Sequence, residues 1–306
     1  MEPLDPHALA KAVYAGIRAC AVTLRPDCRA ALEEARSSAH DAGHAAREAA
    51  VLDDLLENAA IAAADGVPLC QDTGSVWVCL EAGESALIPG SIFSQVDDAV
   101  ARAYQEGGLR MSIVEDALFN RANTRTNAPA FCEARFVPGR TSKLHVMLKG
   151  GGSDNASRLA MLPPGAGRAG VKQVVLDAVQ EKAANACPPL VVGVGVGATF
   201  DKVAGLSKRA LLRPVGGAAA SEEAAAFERE LLEAINASGI GPAALGGAHT
   251  ALAVHLETAP CHIAALPVAV NLGCCAMRSA TFWLTDEEGR PLDEPRPADE
   301  EEGCAL

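Results

Sequence analysis

The sequence predicts a mixed α+β fold, helical at the N-terminal end and then alternating helices and strands around loops that carry reactive side chains. Three observations predict it. Residues 5–65 place apolar side chains at helical spacing, with Val51, Leu52, Leu55, Leu56 and Ile61 forming most of one stripe. Short apolar runs such as Val76-Trp77-Val78 and residues 190–196, bounded by Gly and Pro, read as buried strands. The chain has 306 residues, 49% hydrophobic but only 4% aromatic, which predicts a large core of Ala, Val and Leu with closely packed backbones.

In chain order, Pro26 separates a first helix over 7–20 from a second helical stretch over 30–64, and Gly66 ends the latter. His40 and His44 lie four apart on one helix face. That spacing can hold a metal, but with no third ligand nearby the pair reads as solvated or partly buried. A helix over 91–107 carries Ile92, Val96, Val100 and Tyr104 on one face, with Ser91 or Ser94 as its cap. A polar loop over 120–127 holds Arg121 and Arg125 and reads as solvated. Strands over 130–137 and 144–148 follow, closed by a Gly150-Gly151-Gly152 turn. A helix over 170–186 leads into the strand over 190–196. Its Gly193-Val194-Gly195-Val196-Gly197 run places the third Gly too early for a dinucleotide fingerprint. A helix over 221–235 opens with Ser221, Glu222 and Glu223. Strands over 251–256 and 263–270 and a last hairpin from residue 280 complete the pattern. Residues 1–288 are expected to form one domain, and 289–306, acidic and Pro-rich, a mobile tail.

Composition removes several function classes. The net charge is −13 with no basic patch, which argues against nucleic acid. The first residues lack a basic, then apolar, leader, and no apolar stretch is long enough to span a membrane. Ten cysteines without short regular spacing do not make a secreted disulfide framework, so a reducing cytoplasm is expected. Cys304, near the C-terminus, is one place off a prenylation motif and is assigned no role.

The chemistry concentrates at Pro68-Leu69-Cys70-Gln71-Asp72-Thr73-Gly74, where a thiol, an amide and a carboxylate are consecutive in a loop before a buried strand. Alone, the motif reads equally as a buried Cys beside an Asx turn. Two further thiols share such a setting: Cys187 before Pro188-Pro189, and Cys274 after Asn271-Leu272-Gly273. Three separated loop thiolates can converge on one soft metal; on an iron–sulfur cube they would leave one iron open as a Lewis acid. Arg110 reads as a carboxylate clamp or a cation at a helix end. His262, with apolar flanks, reads as a core histidine or a functional one.

Taken together, the Cys70 motif, Lys149-Gly150-Gly151-Gly152-Ser153, Ala186-Cys187-Pro188-Pro189, and Cys261-His262-Ile263-Ala264-Ala265-Leu266-Pro267 followed by Cys274 resemble the class I iron–sulfur hydro-lyases, fumarate hydratase and L-tartrate dehydratase. The resemblance covers residues 10–285 and implies an alpha subunit whose active site is completed by a beta subunit. It implies Cys70, Cys187 and Cys274 as ligands of a 4Fe–4S cluster, with Cys275 an adjacent thiol that could replace Cys274. It implies Gln71, Asp72, Arg110, Gly151 or Gly152, and His262 at a small dicarboxylate substrate, with Asp72 exchanging the proton. The expected reaction is reversible hydration of fumarate to L-malate, with L-tartrate dehydration as the alternative. Rival readings are a non-catalytic iron–sulfur sensor or assembly protein, or a zinc site on the same thiols.

Overall fold

The computed structural model describes residues 2–39 and 45–298, so His40, His44 and Cys304 lie outside the described residues. The elements in chain order are α1 (Pro6–Val22), α2 (Pro26–Ser38), α3 (Ala45–Asp65), β1 (Ser75–Gly83), α4 (Val96–Glu106), β2 (Phe131–Val137), β3 (Lys143–Lys149), α5 (Gly151–Asn155) and β4 (Arg158–Leu162). They continue with α6 (Gly167–Lys182), β5 (Leu190–Ala198), α7 (Phe200–Ala210), α8 (Glu222–Asn236), β6 (Ala251–Cys261), β7 (Leu266–Gly273), β8 (Ser279–Thr285) and β9 (Pro291–Pro297). The fold is therefore mixed α+β with a helical N-terminal part. None of the described helices is long and apolar enough to cross a membrane.

Two compact units form. The first takes the chain up to Thr23, Ile61–Gly150 and the chain from Arg278 onward; the second takes Leu24–Ala60 and Gly151–Met277. In the first, a five-stranded sheet in the order β2-β1-β3-β8-β9 carries α1 and α4 on one face. The even positions Val76, Val78, Leu80 and Ala82 of β1 enter that core with Leu144, Val146 and Leu148 of β3. Leu9, Val13 and Ile17 of α1, spaced four apart, meet them fully buried. A Cβ at Gly16 would stand 3.1 Å from Val146 and from Phe282, so glycine there sets how closely α1 lies on the sheet. Asp5 caps α1 by accepting from the His7 and Ala8 N–H groups at 2.9 and 3.2 Å, with Pro6 at the first helical position.

Three expectations are corrected in this unit. Helix α4 starts at Val96 rather than residue 91 and has no serine cap; Asp97 and Asp98 supply the negative charge in its first turn. The three glycines do not close a hairpin, because the last two open the short helix α5. Residues 291–297 are not a tail: they form β9 at the sheet edge, where Pro291, Pro295 and Pro297 are tolerated for want of N–H groups. Glu294 there receives Lys11 Nζ at 2.6 Å. Residues 299–306 lie outside the described residues.

The second unit is built on a four-stranded sheet in the order β4-β7-β5-β6. Val192 and Val194 of β5 face the core made with α6 and α8, including Val175, Val179, Leu231 and Ile235. Gly193 and Gly195 face the other way, where added Cβ atoms would stand 2.2 Å from the Ser207 carbonyl oxygen and 2.6 Å from that of Val203. The glycine run is thus a strand that lets α7 press its backbone onto the sheet, and not a phosphate loop. Ser221 caps α8 as expected, accepting from the Ala224 N–H at 3.2 Å.

A buried carboxylate ties α3 to the 248–249 segment within this unit. The Glu48 carboxylate, fully buried on α3, accepts from the Ala248 and His249 backbone N–H groups at 3.0 and 2.9 Å and from His249 Nδ1 at 2.8 Å. Burial works to raise the Glu48 pKa, but these donors outweigh it and hold the carboxyl below the usual range. Because the folded value lies below the unfolded one, the stabilisation is complete above the unfolded pKa and is lost as pH falls through the lowered value. Glu48→Gln is therefore expected to cost about 2–3 kcal/mol at neutral pH. Thermal midpoints of wild type and variant should converge on acidification; a gap independent of pH would overturn this assignment.

Candidate active site

The Cys70 loop lies in the first unit between α3 and β1, and it is held from both ends. The Leu69 N–H donates to the Ala21 carbonyl oxygen at 2.8 Å, and Cys70 Sγ donates to Gln71 Oε1 at 3.1 Å. Gly74, at φ +85°, ends the loop where an added Cβ would stand 2.3 Å from the Lys149 carbonyl oxygen, so only glycine fits. Its own carbonyl oxygen accepts from the buried Tyr104 hydroxyl at 2.8 Å and from Asn127 Nδ2 at 3.0 Å. Burial raises the Tyr104 pKa, so its hydroxyl remains a donor.

Two polar residues that sequence reasoning passed over position this loop. Arg278, only 2% exposed, donates from Nη1 to the Asp72 backbone carbonyl oxygen at 2.8 Å. Asn127, fully buried, accepts from the Ser112 N–H at 2.7 Å while donating to Gly74, so it ties the Arg110 segment to the Cys70 loop. Arg110 is exposed and Asp72 half-buried. The buried Thr73 Oγ1 and Arg278 Nε have no hydrogen-bond partner among the described residues, so polar capacity remains beside Asp72. At Gly150 an added Cβ would stand 3.4 Å from Asp72 Oδ2.

The other implied residues belong to the second unit. Cys187 is exposed and left-handed at φ 54°, just before β5, and its carbonyl oxygen accepts from the Cys275 N–H at 3.0 Å. Cys274 directly follows β7, whose last residue Gly273 is registered opposite Val191 near the start of β5. Cys187 and the Cys274-Cys275 pair therefore share one end of the sheet. Gly151 and Gly152 open α5, and Gly152 lies against the Asn185 carbonyl oxygen, 2.6 Å from where its Cβ would be.

His262 is not brought to this end. It sits in the β6–β7 turn, where Cys261 is registered opposite Ala198 at the far end of β5. Nine residues of strand separate the two ends, about 25–30 Å at 3.3 Å per residue. There, with Phe227, Leu256 and the exposed Ile263, His262 lines an apolar cavity of about 570 Å³. The Cys–His motif is contiguous with the other motifs only in sequence, because β7 runs the length of the sheet before reaching Cys274.

The donor set fits an iron–sulfur cofactor. The described cysteines are all free thiols; Cys70 and Cys274 are half-buried and Cys187 exposed, on loops, whereas Cys20, Cys28 and Cys79 are buried. Burial pushes the Cys28 thiol up to about 12. No three His, Cys, Asp or Glu side chains among the described residues are grouped to hold a metal by themselves. Free thiols on loops, half-buried or exposed, are the donors that such a cofactor takes.

Comparison with known proteins agrees with these motifs. The family model described as fumarate hydratase (Fumerase) matches residues 10–283. A provisionally named L(+)-tartrate dehydratase subunit alpha from Methanocaldococcus jannaschii is 38% identical over 272 residues, which is 86% of this chain and 93% of that protein. The L(+)-tartrate dehydratase subunit alpha of Escherichia coli (strain UTI89 / UPEC) is 35% identical over 219 residues, covering 70% of this chain and 72% of that protein. That of Escherichia coli (strain K12) is 34% identical over 221 residues, 71% and 72% of the two chains. An alpha subunit implies a beta-subunit partner, and membership implies an iron–sulfur cofactor. The chain belongs to the fumarate hydratase (Fumerase) family of iron–sulfur hydro-lyases, as an alpha subunit.

Proposed function

We propose that this chain is the alpha subunit of an L(+)-tartrate dehydratase, removing water from the dihydroxy acid to leave oxaloacetate. The observation that carries this reading is the match along 93% of a relative bearing that name. Fumarate hydration, the leading expectation from sequence, becomes the second reading; the description of the matching family model favours it.

The assigned roles follow from the chemistry of each group. Cys70, Cys187 and Cys274 would hold a 4Fe–4S cluster, which when bound supplies a Lewis-acidic iron to a departing hydroxyl. Arg110, exposed on the segment that Asn127 ties to the Cys70 loop, offers a planar fork for one substrate carboxylate. Gln71 presents an amide beside it. Asp72 takes or returns the proton at the carbon next to the departing hydroxyl. Gly151 or Gly152 supplies a backbone contact. His262 is left out of this set, because β5 separates it from Cys187 and Cys274.

The test is the purified complex with its beta subunit, reconstituted with iron and sulfide without oxygen and offered L-tartrate, fumarate and L-malate. Turnover of L-tartrate at least about tenfold above fumarate, measured as kcat/KM, is expected, one decade being 1.36 kcal/mol of transition-state preference. Turnover of fumarate and malate with no action on tartrate would establish the second reading. A cluster-bearing complex inert towards all three would return the protein to the sensor class.

A further inference from the structure

Between Arg110 and β2 the chain makes a hairpin that ends in an apolar tip. Val114 and Asn123 form an antiparallel bridge. Beside it the Glu115 N–H donates to the Ala122 carbonyl oxygen at 2.8 Å, and the Thr124 N–H to that of Ile113 at 2.9 Å. The turn between, residues 116–121, is held by its own polar groups. Asp116 Oδ1 accepts from the backbone N–H groups of Leu118, Phe119 and Asn120, and Arg121 Nη1 donates to the Ala117 carbonyl oxygen at 2.6 Å. Such a turn needs no apolar side chain to keep its path, yet at its tip Leu118 is 74% and Phe119 88% exposed. Single exposed apolar residues are ordinary. An adjacent leucine and phenylalanine on a turn already fixed by hydrogen bonds offer a large apolar area at small ordering cost, which is what an interface anchor requires.

The root of the hairpin identifies the occupant. Asn123 Nδ2 donates to the Met111 carbonyl oxygen at 2.8 Å, one residue from Arg110. Asn127 accepts from the Ser112 N–H while it holds Gly74 at the end of the Cys70 loop. The hairpin therefore rises from the segment that carries the substrate clamp. Arg110 itself is exposed. A guanidinium open to water grips a carboxylate weakly, so the working site needs a body that covers Arg110 and excludes solvent. For an alpha subunit that body is the beta subunit, and a protein seated over Arg110 meets the hairpin rooted beside it.

We infer that the 113–124 hairpin is a docking anchor for the beta subunit, with the Phe119 ring, flanked by Leu118, seated in an apolar socket of that subunit. Because the hairpin and Arg110 share one segment, seating the tip also fixes Arg110 relative to the groups that the beta subunit brings. The inference rests on the alpha-subunit assignment and not on which hydroxy acid is turned over, so its test reads association and stands apart from the substrate assay.

The test is subunit exchange. The assembled complex of each variant, its beta subunit fluorescently labelled, is mixed with an excess of wild-type complex tagged on this chain, and label captured on the tag is followed over time. Phe119→Ala is expected to release the beta subunit about 30-fold faster or more. Phe119→Tyr keeps a ring at the tip and should exchange near the wild-type rate. Phe136→Ala removes an equally exposed ring, 78% exposed on β2, and should leave exchange unchanged. Iron and sulfide content should not change in any of the three, since Phe119 and Phe136 support no core. Exchange in Phe119→Ala at the wild-type rate would overturn the inference, as would equal acceleration in Phe136→Ala, which would leave the tip no special place. Loss of iron together with faster exchange would make the hairpin a support of the Cys70 loop instead. Unchanged exchange with a smaller assembly mass would assign the tip to a second copy of this chain.

Discussion

Cys187→Ala is expected to abolish the cluster. After anaerobic reconstitution, iron and acid-labile sulfide should fall from about four of each per chain to background. Turnover of the complex should fall about 10³-fold or more, because an open Lewis-acid iron supplies several kcal/mol to the departing hydroxyl. The substitution reads the thiol and not the fold. Alanine and cysteine bear the same Cβ and meet the same cost at φ 54°. The bond from Cys275 reaches the carbonyl oxygen of residue 187, which any residue keeps. Cys261→Ala is the matched control: that thiol is also exposed, donates only to the Ala265 carbonyl oxygen at 3.3 Å, and lies at the far end of β5. It should retain iron, sulfide and turnover. The reverse pattern would show that the ligand set was drawn from the wrong thiols.

The contrast between these two cysteines shows what the sequence could and could not disclose. Apolar periodicity made α1, α8 and the buried strands legible, because each reports one face of a regular element. The loop carrying Cys70, Gln71 and Asp72 was legible because three reactive groups were adjacent in the chain. The supports of that loop were not: Arg278 and Asn127 lie far from Asp72 in sequence, and each resembles a surface residue until burial is known. His262 is the opposite case, since its nearness along the chain to Cys274 is undone by the extended β7. Helix α7 and strand β4 were missed: α7 lays the backbone of Val203 and Ser207 on strand glycines, a close approach visible only in the fold, and β4 is short and half-exposed. Strand β9 was mistaken for a tail because acidic and proline-rich composition, correctly a bar to a central strand, is no bar at an edge.

Asp72→Asn is expected to lower kcat about 10²–10⁴-fold while leaving KM nearly unchanged and iron content intact. The amide matches the carboxylate in shape, so the small space beside Gly150, 3.4 Å between its would-be Cβ and Asp72 Oδ2, stays filled as before. The loop keeps its path because Arg278 holds the backbone carbonyl oxygen of residue 72, not its side chain, and because Tyr104 and Asn127 hold Gly74. What the variant loses is the capacity to accept and return a proton at that position. Substrate grip assigned to Arg110 is untouched, hence the constant KM. A group that merely oriented substrate through hydrogen bonds would be replaced by asparagine at small cost, and its loss would appear in KM. A kcat within a few-fold of wild type would therefore remove Asp72 as the proton carrier and move that role to a residue of the beta subunit. A fall in iron content together with kcat would make it a support of the Cys70 loop instead.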